Sequence, residues 1–341
     1  MKALVPDKYG SPDFLEIREI EKPIPAENEV LVKVHAVSIN EWDLMHLDDN
    51  FVKRLLDHFR PRRIMGSDIA GRVESVGRGV NRFKPGDAVY GDLSRFSLSG
   101  GWGGFAEYVR APEKSLVLKP AGMTFEQAAA IPQAGMLAVQ GLLDKGQLRP
   151  GQRVLINGAG GGVGTFAVQL AKLPKFQGVE VTGVDSAEKL DMLRSVGFDH
   201  VIDYQKEDFT KSGKCYDLIL DTRTNRPALD YARVLNPSGT YATVGGTSHL
   251  GQFALLGLWQ FVLGGSPPWI RELRGKKLAL VMLKQNKDLP YLNELFEAGQ
   301  FTPVIDGHYT FSESREALRH YLTAKHKGKV VVTIDGEGVA K

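Results

Sequence analysis

Apolar and polar residues alternate along short segments in the first third of the chain. LEIREIEKP and EVLVKVHAVSI show this alternation with many β-branched residues, and the turn-forming PIPAEN separates them. A period of two is typical of strands with one buried face. Further short segments broken by Gly and Pro follow, and NFVKRLLDHFRP is the one interruption with helical character. The pattern predicts a compact, mostly antiparallel β domain over residues 1–121.

From residue 122 the pattern changes to alternating strands and helices. TFEQAAAIPQAGMLAVQGLLDKG is helical in composition, and after it the segments RVLIN, VEVTGV, HVIDY, DLILD and TYATVGG alternate with helical ones. This rhythm predicts a parallel sheet covered by helices. KKLALVML is predicted as a sixth strand and DLPYLNELFEAG as the helix after it. We therefore predict an α/β domain over 122–299 and a C-terminal segment, 300–341, that returns to the first domain.

The segment RVLINGAGGGVG contains five glycines within residues 158–164, between a predicted strand and a predicted helix. Glycine permits a sharp turn and lets a pyrophosphate approach the main chain, and the free N–H groups of a helix start attract phosphate. The usual GxGxxG pattern is out of register, because Ala159 precedes Gly161 and Gly164 where the first glycine would stand. Asp185 ends the next strand 21 residues after Gly164, close to the spacing of about 20 that the pattern requires. The context predicts a dinucleotide site.

The residues after that second strand leave the identity of the dinucleotide open. Asp185 can accept hydrogen bonds from both ribose hydroxyls of NAD, and it repels a 2′-phosphate. Lys189, with Ser186 beside it, can neutralise the 2′-phosphate of NADP, and Tyr204 after the third strand can lie beside the adenosine. The alternative is that Lys189 is an ordinary solvated charge on a helix and has no role in binding the cofactor. NAD(H) and NADP(H) both remain open as the cofactor.

Composition narrows the classes of function. A length of 341 residues favours two domains, and a net charge of +3 is too small to indicate a nucleic acid or a membrane surface as partner. The single cysteine, Cys215, allows neither an intramolecular disulfide nor a thiolate zinc cage, and it suits the reducing cytoplasm that we predict. The N-terminal sequence lacks the pattern of a signal peptide. The longest apolar stretch, at 253–263, is too short to span a bilayer and is interpreted as a buried or subunit-facing helix.

Six segments spread over nearly the whole chain are specific in their order and spacing. They are MKALVPDKYGSPDFLEI, VSINEWD, GSDIAGRVESVGRGVNRFKPGDAVYG, RPGQRVLINGAGGGVGTFAVQLAK, SVGFDHVIDYQKEDF and PVIDGHYTFSESREAL…GKVVVTI. In this order they resemble the medium-chain dehydrogenase/reductase superfamily, and within it the zinc-free quinone oxidoreductase group. The resemblance implies a GroES-like, mostly-β catalytic domain, a Rossmann domain with a doubly wound parallel sheet, an active site in the cleft between them, and a homodimer.

The same resemblance allows the question of zinc to be tested. Zinc-dependent relatives place a cysteine in the segment that matches AVSINEWD, a histidine in GSD and a second cysteine near PQAGMLA. These segments offer Ser38 and Asn40, then Ser67, then Ala134 and Gly135. The four-cysteine structural zinc loop is replaced by LSRFSLSGGWGG, and the eight histidines are scattered. No catalytic metal is expected, and without a Lewis acid the oxidation of a simple alcohol is hard.

Three residues of VSINEWD are catalytic candidates, and two of them match residues of the family. Asn40 matches the Asn after the strand in this family, and its amide can donate to a cofactor or substrate carbonyl; an Asx turn contact is the alternative. Asp43 matches a family Asp, and for it a structural hydrogen bond is favoured over acid catalysis. Trp42 is a candidate wall of the pocket or a plain core aromatic. Met45 and Leu137 replace a Tyr and a Thr that are common in relatives, so they make the predicted pocket more apolar.

The loop after DLILD also departs from the family, because Arg223 and Thr224 replace small residues there. Thr222 can contact the nicotinamide ribose, and Arg223 is either a phosphate or substrate contact or a solvated side chain. The candidate cofactor-binding residues are Gly158, Ala159, Gly161, Gly162, Val163, Gly164, Asp185, Ser186, Lys189, Tyr204, Thr222, Gly245 and Gly246.

Three functions are consistent with these residues. The first is a zinc-independent, NAD(P)H-dependent reductase of quinones or α,β-unsaturated carbonyls, which are electron-poor hydride acceptors. The second is a broader alcohol, aldehyde or ketone oxidoreductase of the same fold. The third is a nucleotide-binding interaction protein with little turnover and with the segment 250–270 as its partner surface.

Overall fold

The computed structural model describes residues 1–8, 10–44, 64–94, 103–244 and 275–334. The chain divides into two compact units. The first unit comprises Met1–Met136 and Lys284–Lys341, and the second comprises Leu137–Leu283. The predicted helix at NFVKRLLDHFRP lies outside the described residues. Within the described part, no helix is both long and apolar enough to cross a membrane.

The first unit is built on β strands that are mostly antiparallel. They are β1 (Lys2–Pro6), β2 (Leu15–Glu19), β3 (Glu29–Ser38), β4 (Asp68–Val76), β5 (Ala88–Asp92), β6 (Tyr108–Pro112), β7 (Val117–Leu118), β14 (Ile305–Thr310) and β15 (Lys329–Thr333). β1 pairs with β2, and the remaining seven form one sheet in the order β14-β15-β3-β4-β5-β7, with β6 also on β3. Only β14 and β15 pair in parallel in this sheet.

Four helices flank these strands in the described part of the first unit. They are α1 (Glu41–Leu44), α2 (Phe125–Ala130), α7 (Leu289–Glu297) and α8 (Ser314–Leu322). Thr124 begins α2 with a reciprocal capping box, in which its hydroxyl accepts from the Gln127 N–H and the Gln127 side chain accepts from the Thr124 N–H. The unit has its own apolar core, which includes Val32, Ile69 and Val332.

In its described residues, the second unit is built on a parallel sheet of six strands. They are β8 (Arg153–Asn157), β9 (Glu180–Asp185), β10 (His200–Asp203), β11 (Tyr216–Asp221), β12 (Leu235–Thr243) and β13 (Lys277–Leu280), in the order β10-β9-β8-β11-β12-β13. The strand order reverses between β8 and β11, and ligands of doubly wound sheets bind at the carboxyl ends of the strands at such a point. The predicted Rossmann topology is confirmed.

The helices of the second unit connect these parallel strands. They are α4 (Gly162–Ala171), α5 (Leu190–Ser195) and α6 (Ala228–Arg233). Before them, α3 (Pro132–Val139) continues as a π-helical turn over Gln140–Lys145. The core of this unit contains Leu155, Ile219 and Tyr241.

The division into units differs from the predicted boundaries at 121 and 299. Helix α2 packs on β3, β4 and β15, so residues 122–136 join the first unit. Asn293 on α7 accepts a hydrogen bond from the Tyr90 hydroxyl and donates to Leu118 O, which attaches 284–299 to the first unit as well. Helical composition cannot reveal these attachments, because they depend on partners distant in sequence.

Candidate functional site

The glycine turn of the second unit links β8 to α4. Gly158 has φ +77°, and a Cβ there would lie 2.3 Å from Thr222 Oγ1. A Cβ on Gly164 would lie 2.3 Å from Ala159 O, so only glycine lets the helix pack this close to the strand end. Ala159, which stands where the usual GxGxxG pattern has its first glycine, is fully buried. Its methyl group lies next to Gly183, where a Cβ would be only 3.1 Å away. The alanine is therefore accommodated by a glycine on the neighbouring strand.

The start of α4 has the properties of an anion site. Gly161 is the N-cap with φ −84° and ψ 178°, and among the described residues no side chain caps this helix end. The N–H groups of Gly162, Val163 and Gly164 occupy the first turn, where an α-helix offers no internal acceptors. A Cβ on Gly161 would meet nothing closer than Gly158 O at 3.7 Å, so open space lies above the turn. The residues present fit a pyrophosphate.

Asp185 at the end of β9 binds the glycine turn directly. Its Oδ2 accepts from Gly160 N at 2.8 Å and its Oδ1 accepts from Ser186 N at 2.9 Å. Lys189 Nζ lies 3.5 Å from Asp185 Oδ1, and both side chains are almost fully buried. A Cβ on Gly160 would lie 2.5 Å from Lys189 Cδ, so the lysine stem runs across the turn. Lys189 is therefore not a solvated helix charge; it offsets the charge of Asp185.

Ser186 and Tyr204 lie beside this ion pair. Ser186 is half-buried at the N-cap of a 3-10 turn, and its hydroxyl makes no capping bond. Tyr204 is exposed, and its N–H donates to Asp185 O at 3.2 Å, because β10 pairs with β9 in register Asp203↔Asp185. Asp185, Ser186, Lys189 and Tyr204 thus lie together, as the prediction of an adenosine subsite requires.

Sequence reasoning missed Asp221, which is completely buried at the end of β11. Its Oδ1 accepts from Asn157 Nδ2 at 2.9 Å and from the N–H groups of Arg223 and Thr224, and its Oδ2 accepts from the Tyr241 hydroxyl at 2.6 Å. The carboxylate thereby fixes the loop after β11 against the strand that carries the glycine turn. The signal available in the sequence was an acidic residue at the end of an apolar strand.

The same loop holds the predicted residue Thr222. Its hydroxyl donates to Asn157 O at 2.9 Å, so it lies against the turn, and the Arg223 stem passes near Gly158. The Arg223 side chain is exposed. Gly245 and Gly246, also predicted to bind cofactor, lie outside the described residues.

The catalytic candidates of the first unit lie at the end of β3. Asn40 is 6% exposed, and its N–H donates to Asp43 Oδ2 at 2.8 Å. Asp43 is fully buried, and its Oδ1 accepts from Gly66 N at 3.1 Å. Both carboxylate oxygens of Asp43 thus hold main chain, which fixes the turn that carries Asn40. Trp42 is 39% exposed on α1.

Hydrogen bonds join the segments in which zinc-dependent relatives carry ligands. Asn40 Nδ2 donates to Ser67 Oγ at 3.5 Å, and Gln133 Nε2 donates to the same oxygen at 2.7 Å and to Asp92 Oδ1 at 3.1 Å. In the third segment the residue facing this group is Gln133, and not Ala134 or Gly135, the positions suggested by the resemblance. We call Asn40, Ser67 and Gln133 the amide cluster.

The amide cluster does not fit zinc. Structural and catalytic zinc ions are bound by thiolate, imidazole and carboxylate groups, whereas these three positions offer two amides and a hydroxyl. Among the residues that the structure describes, no group of three or more His, Cys, Asp or Glu side chains is arranged to hold a metal.

Sequence reasoning also missed Lys329, the first residue of β15. It is 3% exposed, and its Nζ donates to Ile39 O at 3.0 Å and, in a short hydrogen bond, to Asn40 Oδ1. Asp68 Oδ2 lies 3.9 Å from the same nitrogen and accepts from Gln133 N. Nothing in GKVVVTI distinguishes this lysine from a solvated one, because strand alternation alone does not identify its partners.

Burial controls the titration of the carboxyl groups around the amide cluster. It raises the pKa of Asp43 to about 7 and the pKa of Asp92 to about 6, against an ordinary value of 3.8. It also raises the pKa of Asp68, although Lys329 opposes that shift. Burial lowers the pKa of Lys329, and Asp68, Asp43 and Asp92 oppose the shift. One buried cation thus faces three buried carboxyl groups.

Comparison with known proteins gives two family matches. Residues 26–121 match the alcohol dehydrogenase GroES-like domain, and residues 196–332 match a family described as zinc-binding dehydrogenase. The chain is 32% identical to the 2-methylene-furan-3-one reductase of Solanum lycopersicum over 342 residues, covering 97% of this chain and 79% of the relative. It is also 32% identical to the chloroplastic NADPH-dependent alkenal/one oxidoreductase of Arabidopsis thaliana over 338 residues, with the same two coverages.

The solved structures include a similar protein. The quinone oxidoreductase from Coxiella burnetii superposes with a TM-score of 0.84 at 26% identity, over 98% of this chain and 99% of that one.

Proposed function

Since this chain belongs to the medium-chain dehydrogenase/reductase superfamily, in its quinone oxidoreductase group, and is an NAD(P)H-dependent oxidoreductase, we propose that it reduces α,β-unsaturated carbonyls and quinones with NADPH and without zinc. The observation that carries the proposal is the amide cluster, which puts hydrogen-bond donors where zinc-dependent relatives hold a Lewis acid.

The second unit would hold the cofactor through the glycine turn. The first-turn N–H groups of α4 bind the pyrophosphate, and Thr222 lies beside them against Gly158. When bound, the reduced nicotinamide supplies a hydride. The residues of this chain bind and orient the cofactor.

We propose NADPH as the preferred form. Lys189 offsets the negative charge of Asp185, which removes the repulsion expected between that carboxylate and a 2′-phosphate. Both Asp185 oxygens already accept main-chain N–H groups. The Ser186 hydroxyl and the exposed Tyr204 ring complete a subsite for the phosphate and the adenosine.

In the first unit, Asn40 is the donor to the carbonyl oxygen of the acceptor. Hydride addition to an enone or quinone builds negative charge on that oxygen, and an amide N–H already in position stabilises the charge without reorganisation. Asp43 is a positioning residue, because it fixes the backbone of Asn40. Trp42 stays a candidate wall for the acceptor.

Steady-state oxidation of NADPH with a quinone, an enone and an aldehyde tests the function. We expect turnover with the first two, and we expect Asn40→Ala to lower kcat about 100-fold while the KM for NADPH stays unchanged. Turnover of aldehydes alone would favour the broader carbonyl oxidoreductase. Tight cofactor binding without turnover of any acceptor would favour the interaction protein, whose proposed surface at 250–270 lies outside the described residues.

Calorimetric titration with NADPH and NADH tests the cofactor. We expect NADPH to bind more tightly, and Lys189→Met to weaken NADPH by at least about 10-fold, since one charge-assisted contact is lost, with little effect on NADH. Lys206→Met, on an exposed residue of the same edge, is the control. Equal loss for both cofactors would contradict a role for Lys189 at the 2′-phosphate. Stoichiometric zinc in the purified protein would overturn the zinc-free proposal, while cytoplasmic location and a homodimer stay predictions.

A further inference from the structure

Lys329 is buried, which is rare for a lysine side chain. Its ammonium is buried against the amide cluster, although Lys is almost never fully buried unless it is paired. It makes two hydrogen bonds at one point of the fold, to the main-chain oxygen of Ile39 and to Oδ1 of Asn40. Both acceptors belong to the two residues that follow β3, so the ammonium lies directly beside Asn40, the proposed donor.

The contact fixes which way the Asn40 amide faces. An ammonium has only donors, so the atom of the amide that faces it must be the carbonyl oxygen. The amide nitrogen then points to Ser67 Oγ, 3.5 Å away. Rotation of the amide by a half-turn would place the NH2 group against the ammonium, which electrostatic repulsion forbids.

The positive charge also acts along the amide. Hydrogen bonds in a chain polarise one another, and a charged donor on the oxygen makes the N–H groups of the same amide stronger donors. Three carboxyl groups favour the charged form of Lys329 against the effect of burial, which lowers its pKa: Asp68 on β4, Asp43 on α1 and Asp92 on β5.

We propose that Lys329 is a positioning residue that orients and polarises the Asn40 amide, so that Asn40 Nδ2 presents a fixed, strengthened N–H to the carbonyl oxygen of the acceptor. This inference rests on the proposed function, and it assigns to β15 a part in the reaction that the sequence did not reveal. Lys329 acts through Asn40 and does not itself contact the acceptor.

A double-mutant cycle tests the coupling. Lys329→Met removes the charge and the donors, and we expect kcat with an enone to fall about 10- to 100-fold, as when groups that orient a reacting ligand are removed. The KM for NADPH should stay the same. In an Asn40→Ala background, the same Lys329→Met substitution should lower kcat less than about 2-fold, because the residue through which it acts is gone.

Further variants separate this role from simple support of the fold. Lys329→Gln keeps a donor for Ile39 O without the charge, and it serves if the methionine variant does not fold. Lys329→Arg keeps the charge and should recover part of kcat. Lys327→Met, an exposed lysine two positions earlier, is the matched control and should behave as the wild type. Circular dichroism and melting of every variant establish the folded fraction before kcat is compared.

The choice of acceptor gives a second readout. Removal of Lys329 should penalise an enone more than a strongly electrophilic quinone, because the weaker acceptor needs more stabilisation of its oxygen. Equal losses for both acceptors, or losses that multiply in the cycle, would overturn the inference. Wild-type kcat in folded Lys329→Met protein would overturn it while leaving the proposed function intact, whereas a wild type inactive with every acceptor would overturn both.

Discussion

At the scale of single residues, Gly161 and Gly164 share one turn, but a methyl group added at each meets different surroundings. At Gly164 it would lie 2.3 Å from Ala159 O, whereas at Gly161 it would have 3.7 Å of clearance in a backbone conformation that any residue adopts. The first position controls packing of the helix on the strand, and the second borders the space proposed for the pyrophosphate.

We therefore expect the two alanine variants to separate folding from binding. Gly164→Ala should lower the free energy of unfolding by about 1–3 kcal/mol, as overpacking does. Gly161→Ala should leave that free energy within about 0.5 kcal/mol and weaken NADPH at least 10-fold. Urea denaturation and calorimetric titration of both proteins measure the two effects.

The comparison contains its own control, because each variant is the reference for the other. A Gly161→Ala protein that binds NADPH as the wild type does would contradict a pyrophosphate above this turn.

Individual site residues divide into those that the sequence could predict and those that it could not. The glycines and Asp185 were predictable because their spacing reflects local geometry within one βαβ unit. Lys329 and Gln133 were not, because their roles depend on partners brought together only by the tertiary structure. For the same reason Lys189 could be named in advance, but its ion pair with Asp185 could not be distinguished from solvation.

At the scale of elements, the ends of β3, β4 and β5 bring buried carboxyl groups together, and this gives the first unit a pH-dependent stability. Asp43 has a folded pKa of about 7 against an ordinary 3.8, so the folded state binds a proton more tightly than the unfolded state. The stability that this group contributes is fully present below its ordinary pKa and is lost as pH rises through about 7. Asp92, with a pKa of about 6, acts in the same direction.

We expect the free energy of unfolding of the first unit to decrease from about pH 4 to about pH 7 and to level off above that, with a slope of at most about 1.4 kcal/mol per pH unit for each group. Asp43→Asn should flatten the decrease, because the amide stays neutral. Urea denaturation at several pH values measures the slope. Asp87→Asn, on a half-buried residue before β5, is the control, and a slope unchanged by Asp43→Asn would contradict this origin.

Most elements were predictable from periodicity. The strands RVLIN, DLILD and KKLALVML appear as β8, β11 and β13, and the helix DLPYLNELFEAG appears as α7. β12 begins at Leu235, ahead of the predicted strand TYATVGG, because Leu235 already pairs with Tyr216 of β11. Only Leu235 pairs with Tyr216 before the register jumps to Thr240↔Leu218, so the residues from Asn236 to Gly239 form an irregularity in the strand, in which Ser238 has φ +67°.

At the scale of the whole molecule, the two units differ in how the chain builds them. The second unit is continuous, whereas the first needs β15 to pair with β3 from the other end of the sequence, in the register Val331↔Ser38. Pairing of distant segments carries a larger loop-closure cost and slows folding.

We expect the second unit to form first during refolding from urea. Amide protons of β8 and β11 should become protected before those of β3 and β15, as measured by pulsed hydrogen exchange with mass spectrometry. Protection of β3 before β11 would contradict the expected order. Helix α8 serves as a control, because a helix forms through contacts that are local in sequence. Early protection of its peptides would show how much protection helix formation alone produces.

The family and the α/β fold class were confirmed, because the order of motifs along the whole chain is specific. The boundaries between the two units were harder to predict. Helices α2 and α7 resemble parts of the second unit in composition, but they pack on the first.

The position of Lys329 so late in the chain has a consequence for synthesis on the ribosome. Asn40, Ser67 and Gln133 leave the exit tunnel long before the ammonium that contacts Asp68 and Asn40. A nascent or prematurely terminated chain that stops before Lys329 therefore has buried carboxyl groups without their cation. Assembly of the donor group therefore has to wait for the synthesis of β15.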